Sequence, residues 1–272
     1  MRIKPTRSRD YRQLDLWRLM EYTRLDELTG RHRIAQELLE ARADDRVLEI
    51  GCATGYWANL YLRHRAATVF AMDIDREDIS RAQQASRTDD SGHVEPRFLV
   101  ASAEHLPFQD DNFSLVYCMD VLEHVARPEM AASEASRVLA PGGRLLVTVP
   151  GKWPFDRLDP HWPEHRHYSL DGVVELFPSL NLVTAHQTGL LWSTFWGTYV
   201  RGAMARLCRL VPGERRRAIL LKRVNILFSK IADLDCRLNY KAGSALSAIL
   251  RKPTAQRRAR GEASRLISGL TP

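Results

Sequence analysis

Val47-Leu48-Glu49-Ile50-Gly51-Cys52-Ala53-Thr54-Gly55 is an apolar run that breaks at one glycine and meets a second four residues later. Arg46–Ile50 has the length and composition of a short buried strand. The two glycines predict a sharp turn. Glycine takes the left-handed backbone at little cost and has no Cβ to hold a ligand away. Residues 55–65 predict a helix directly after the turn. Backbone amides at the start of such a helix can meet a carboxylate or a phosphate. The spacing is not the GxGxxG of dinucleotide binders, so the turn alone leaves the ligand open.

Working outward, strands and helices alternate. Strands are expected at Thr68–Asp73, Arg97–Val100, Phe113–Met119 and Arg144–Val149. Helices are expected at 76–86 and from Pro128 to about Leu139, where Pro141-Gly142-Gly143 stops the second one. Such alternation predicts an α/β fold, a doubly wound parallel sheet covered on both faces. Asp73 closes the second strand, 22 residues after Gly51. A carboxylate there can accept both ribose hydroxyls of an adenosine, or simply cap a helix in solvent. Upstream, residues 11–29 and 31–42 read as helices. Downstream, 151–168 reads as a loop, 169–177 as a short helix, 181–188 and 244–251 as strands, and 190–241 as helical.

The pieces VLEIGCATG, VFAMDID, ASAEHLPF, FSLVYCMDVLEHV and VLAPGGRLLVTVP stand in that order over residues 46–150. Together they resemble the class I S-adenosylmethionine-dependent methyltransferases, the broad type 11 group that includes the ubiquinone-biosynthesis O-methyltransferases. The resemblance implies a Rossmann-like sheet of seven strands ending in a hairpin of strands six and seven. It implies S-adenosylmethionine as cofactor. Glu49, Gly51 and Gly55 would shape the methionine pocket, and Asp73 would bind the ribose. Ile74 would pack on the adenine, Ala103 and Glu104 would lie near its edge, and Met119 would lie beneath the cofactor. Arg31 stands where some relatives use an arginine for the cofactor carboxylate. Three departures stand out. Ala53 replaces a commoner glycine, and Ser102 stands where many relatives have aspartate. Ser114 replaces the aspartate of FDxV and reads as a tolerated surface change.

Methyl transfer from a sulfonium is an in-line displacement, so a protein chiefly aligns the acceptor and excludes water. A hydroxyl acceptor also needs a base or a metal. Asp120, Glu123 and His124 follow the fourth strand, with spacings that can converge on one helical face. His161, His165 and His167 follow the fifth strand and should share its rim. The candidate catalytic residues are therefore His124, His165 and His161. His124 can equally cap or pack, and the loop histidines can be merely solvated. With a loop histidine, the acids could hold a divalent cation, but Asp120 departs from the glutamate of metal-using relatives and no metal is expected. Trp153, Phe155 and Trp162 can wall an apolar acceptor or anchor the loop.

The net charge of +7 hides an asymmetry, because residues 201–272 hold 17 Lys/Arg against 4 Asp/Glu. Leu220, Val224, Leu227, Ile231, Leu234 and Leu238 form one apolar helical face. Trp192, Phe195, Trp196 and Tyr199 precede it as an aromatic stripe, and Arg215, Arg216 and Arg217 crowd its start. That pattern suits packing on the body, an anionic membrane interface or a nucleic acid, the last being least expected because the aromatics are not interleaved with the arginines. The expected division is N-terminal helices at 1–45, an α/β core at 46–189, a basic helical insertion at 190–241, the final strand at 242–253 and a basic tail at 254–272.

Apolar residues make up 44% of the chain, enough for a sizeable core. No run of about 18 apolar residues occurs, MRIKPTRSRD is no secretory signal, and the four dispersed cysteines form no CxxC pair. A cytoplasmic setting follows, with the inner face of the membrane as a second location. The expected activity is O-methylation, or less readily C- or N-methylation, of a small hydrophobic or lipid-linked acceptor. Its rivals are an RNA methyltransferase gripping through the basic segment and a non-catalytic cofactor binder.

Overall fold

The computed structural model describes residues 38–87, 94–152, 166–188 and 243–254, with isolated positions between 203 and 238. Seven strands are present: β1 (Arg46–Ile50), β2 (Thr68–Asp73), β3 (Arg97–Val100), β4 (Phe113–Met119), β5 (Leu139–Pro150), β6 (Asn181–Thr188) and β7 (Ala245–Arg251). The described helices are α1 (Tyr56–Leu60), α2 (Arg76–Arg87), α3 (Pro128–Val138) and α4 (Leu170–Leu176), with a 3₁₀ turn at Leu62–His64.

The sheet order is β3-β2-β1-β4-β5-β7-β6. β1 to β5 run parallel, and β7 is antiparallel to both β5 and β6. The chain winds outward from β1 to β3 and then returns beside β1 as β4. The switch point therefore lies at the carboxyl ends of β1 and β4, where open α/β sheets bind ligands.

Period-2 alternation fills both faces of the sheet. Val47, Val69, Ala71, Leu115 and Tyr117 pack with Trp57 and Ala58 of α1 and Ile79 of α2. Leu48, Ile50, Phe70, Met72, Val116 and Cys118 pack with Ala131 and Ala135 of α3 and Val173 of α4. Burying both faces requires continuous apolar strands, and each large side chain so buried contributes roughly 1.5–3 kcal/mol.

Two boundaries differ from the sequence expectation. The helix expected over 55–65 breaks at Tyr61, which leaves the helical basin at φ −120° and stacks on Trp57 at 4.4 Å between ring centroids. β5 begins at Leu139, directly after α3, where a later start was expected. Its register against β4 jumps from Phe113↔Leu139 to Leu115↔Arg144, so Pro141-Gly142-Gly143 forms an irregularity within the strand. Gly142 supplies the left-handed residue there, at φ 79°.

Ser114 is not a tolerated surface change. Its hydroxyl donates to Asp45 Oδ1 at 2.7 Å and accepts the Arg46 amide at 3.1 Å. Asp45 is buried and also accepts the Arg42 amide at 2.8 Å and pairs with Arg144. An aspartate at 114 would set a second carboxylate against Asp45, and serine supplies a donor in its place. Lys252, just past β7, donates to Ser136 O at 2.8 Å and Leu139 O at 2.6 Å. It thereby satisfies carbonyls at the end of α3, where a cation is favoured.

The expected N-terminal helices through residue 37, the insertion at 190–241 apart from its single positions, and the tail beyond 254 lie outside the described residues. Among those described, no helix is long and apolar enough to cross a membrane.

Candidate functional site

The glycine turn after β1 is held from β2. The amides of Gly51 and Cys52 both donate to Met72 O, at 2.8 and 2.9 Å. The amide of Ala53 donates to Asp73 Oδ2 at 2.8 Å, and Asp73 Oδ1 accepts the Asp75 amide at 3.0 Å. Gly51, Ala53 and Gly55 all have positive φ, at 73°, 45° and 73°. A Cβ on Gly51 would meet Val121 Cγ2 at 2.3 Å, and one on Gly55 would meet Phe98 Cε1 and Ala82 Cβ at 2.7 Å. The glycines are thus required by left-handed backbone, as the expected sharp turn needs, and also by protein packing. Val121 was not singled out from the sequence, yet it joins the rim of β4 to this turn.

Ile74 follows Asp73 and is 74% exposed, an unusual state for a large aliphatic side chain at a strand end. Ala103 is buried, and Met119 is half-buried at the end of β4. Glu104 is bonded to Arg127. Its Oε1 accepts the Arg127 amide at 2.9 Å and its Oε2 the Arg127 side chain at 3.0 Å. The Arg127 amide bond, with help from the guanidinium, holds its carboxyl below the ordinary range. Glu104 therefore ties the segment after β3 to the start of α3. Ser102 accepts the Glu104 amide at 3.2 Å and shapes the same turn. A surface hollow of about 480 Å³ opens beside Glu104, His105, Met130 and Ser133, and none of Glu49, Gly51, Asp73 or Met119 lines it.

The rim of β4 is built differently from the sequence expectation. Asp120 has a left-handed backbone at φ 53°. Its amide donates to Thr148 O at 2.9 Å, and the Thr148 hydroxyl donates to Asp120 Oδ1 at 3.1 Å. Residues 121–124 form a turn, closed by the His124 amide on Val121 O at 2.9 Å. Asp120, Glu123 and His124 therefore do not share a helical face. Glu123 is buried and His124 is exposed.

His161 and His165 lie outside the described residues, as do Arg31, Trp153, Phe155 and Trp162. The two ends of that loop can still be placed. Tyr168 pairs with β5, its amide on Pro150 O at 2.9 Å and its carbonyl accepting the Lys152 amide at 2.8 Å. The Tyr168 hydroxyl donates to Leu122 O at 3.0 Å, and Arg166 donates to Val125 O and Ala126 O. Thr148, Arg166 and Tyr168 thus clamp the β4 and β5 rims together, with His167 between them. Arg166 and Tyr168 flank His167, the histidine expected on this rim.

Electrostatics separates these groups. Burial, opposed by a hydrogen bond from the Ala58 backbone and aided by the charge of Asp73, pushes the Glu49 carboxyl up to about 8. Burial pushes the Cys52 and Cys118 thiols well up, which leaves neither as a nucleophile near neutrality. The Tyr168 hydroxyl is pushed up to about 12 by burial and is no base at neutral pH. Among the described residues no three His, Cys, Asp or Glu side chains are grouped to hold a metal.

These residues suit an adenosyl cofactor with a cationic tail. Asp73 accepts two amides, and a carboxylate can accept about four bonds, so two ribose hydroxyls can still be met. Ile74 offers an apolar surface beside it. Glu49 Oε2 is buried and has no hydrogen-bond partner among the described residues.

A doubly wound domain with this strand order, an acid closing β2 and a glycine turn after β1 has the architecture of a nucleotide-binding α/β domain. Residues 48–147 match the family described as the methyltransferase domain, and over that stretch the core is similar to S-adenosylmethionine-dependent methyltransferases. The chain is 34% identical over 130 residues to the 27-O-demethylrifamycin SV methyltransferase of Amycolatopsis mediterranei, covering 47% of each. It is 33% identical over 139 residues to the ubiquinone/menaquinone biosynthesis C-methyltransferase UbiE of Vibrio vulnificus, covering 50% of this chain and 53% of that protein. The chain thus spans about half the length of these relatives. Among solved structures, the [4+2]-cyclase SpnF superposes at a TM-score of 0.59 and 20% identity, over 85% of this chain and 81% of that one. At that identity the likeness shows a shared fold, and a fold does not set the reaction.

Proposed function

We propose that the protein transfers a methyl group from S-adenosylmethionine to a hydroxyl of a small hydrophobic or lipid-linked acceptor. The observation that carries the donor half is Asp73 beside the exposed Ile74, at the end of β2 next to the switch point. In this reading Asp73 binds the ribose, Ile74 the adenine face, Glu49 and the turn from Gly51 to Gly55 the methionine end, and Met119 the underside. The sulfonium supplies an already activated methyl group. The acceptor enters over the β4 and β5 rims, where His124 takes up the hydroxyl proton as the nucleophilic oxygen advances. His161 and His165 complete that side. Asp120, Thr148 and Tyr168 hold the rim in place. Aligning the two reactants there can contribute on the order of 7–11 kcal/mol.

The acceptor class draws on two supports. One relative is named for quinone biosynthesis and the other for 27-O-demethylrifamycin SV, small molecules methylated on carbon and on oxygen respectively. The aromatic and basic pattern of residues 190–241 suits an anionic membrane surface from which an apolar acceptor can enter.

The test uses S-adenosylmethionine labelled in its methyl group, incubated with a lipid extract and separately with RNA. Label in organic-soluble, base-stable ether products supports the proposal. Label confined to RNA supports the nucleic-acid reading and overturns this one. Vesicles of graded anionic content test the membrane part. Binding that rises with anionic lipid and weakens in salt is expected, and equal recovery in every supernatant removes it.

A further inference from the structure

Glu49 stands two residues before Gly51 and is 4% exposed. Its partners across the sheet are Ala71 of β2 and Tyr117 of β4. Among the described residues Oε2 has no hydrogen-bond partner, and the backbone of Ala58 in α1 donates to the carboxyl. The titratable groups that act on it or feel it are Asp73 from β2, Cys52 from the turn and Tyr117 from β4. Among the described residues none of them is basic. A buried carboxylate is normally paired with a cation or else neutralised by a proton. S-adenosylmethionine carries a sulfonium and an α-ammonium, whereas its product S-adenosylhomocysteine has lost the sulfonium charge.

We propose that Glu49 is a proton-exchange site: protonated while no cation faces it, and ionised, with its proton released to solvent, when the cationic donor binds. The inference rests on the proposed function and adds to it a means of telling donor from product. The O–H bond of the Glu49 carboxylic acid breaks, the proton leaves to water, and the carboxylate remains to balance the incoming charge. The neutral thioether gives less return for that ionisation, so it binds with less proton release and is let go more easily. The opposing account is that Glu49 only holds the start of α1 through Ala58. That account predicts no proton release with either ligand.

The burial that lifts Glu49 to about 8 sets the expected size of the effect. The ionised fraction is then roughly 1% at pH 6 and 9% at pH 7, so the apparent Kd for the donor tightens about ninefold over that interval. This range stays below the titration of the cofactor's own amino group, near pH 8.

The test is titration calorimetry of the full chain with S-adenosylmethionine and with S-adenosylhomocysteine, in phosphate and in imidazole, at pH 6 and pH 7. The dependence of the heat on buffer ionisation enthalpy counts the protons. About one proton per donor, fewer per thioether, and a roughly ninefold tightening for the donor support the inference. Glu49→Gln, a neutral isostere, should bind with no proton release and a flat pH response. Should that variant fail to fold, the contrast between donor and thioether in the wild type still decides. Donor binding without proton release, or equal release with both ligands, overturns the inference and leaves the methyltransferase reading intact. No donor binding by the folded wild type overturns both.

Discussion

Asp73→Ala removes a carboxylate that, on this account, has two tasks. It fixes the glycine turn through the Ala53 amide at 2.8 Å and the Asp75 amide at 3.0 Å. It also receives the ribose hydroxyls. A hydrogen bond to a charged group is worth about 1.5–3 kcal/mol, and solvent reduces that at an exposed site to roughly 1 kcal/mol. The fold should therefore lose about 1–2 kcal/mol and remain native at room temperature. Cofactor binding should lose roughly 2–4 kcal/mol, a weakening of about 30-fold to nearly 1,000-fold. Asp73→Asn separates volume from acceptor count. It keeps one oxygen, but its NH₂ must face either the Ala53 or the Asp75 amide, so it should weaken binding nearly as much as alanine. The assay is calorimetry on protein whose folded fraction has been checked by urea denaturation. A well-folded Asp73→Ala protein that binds S-adenosylmethionine within threefold of wild type would refute the reasoning.

Ser114→Asp should cost roughly 3 kcal/mol at neutral pH by setting two carboxylates together at a buried site, against about 1 kcal/mol for Ser114→Ala. Denaturation midpoints of the two variants check it. His124→Ala should lower turnover while leaving cofactor affinity within a few-fold. Loss of cofactor binding in that folded variant contradicts the partition between donor and acceptor sides. Glu49 is raised from 4.5 to about 8 in the folded chain, so its stabilising share is full below pH 4.5 and is lost as pH rises toward 8. Ligand-free stability should fall by up to about 1.4 kcal/mol per pH unit in that window from this group, and Glu49→Gln should flatten the slope.

The frame of this fold was legible because its signals are local. Largely apolar strands such as Phe113–Met119 mark burial on both faces, and the hairpin of β6 and β7 was placed to within a residue. Asp73 could be singled out because one residue type at one distance from a glycine turn has few other uses. What escaped notice was tertiary. Ser114 looked like a surface substitution because nothing nearby in sequence reveals Asp45, 69 residues away. Val121 fills the space over Gly51, so a glycine assigned to a sharp turn and ligand approach also answers to packing. Spacing alone suggested a helix for DVLEH, but Asp120 takes a left-handed backbone stabilised by Thr148 across the rim. Tyr168 passed as a loop residue because its two partners, β5 and the turn after β4, meet only in three dimensions.

The central claim is that the turn after β1 and the acid closing β2 form a site for S-adenosylmethionine. Its most direct test is titration of the wild-type chain, freed of any carried-over nucleotide and shown to be folded, with S-adenosylmethionine. The account predicts saturable binding of one equivalent in the micromolar range, roughly −7 to −8 kcal/mol. A folded chain that shows no binding up to millimolar cofactor would contradict it.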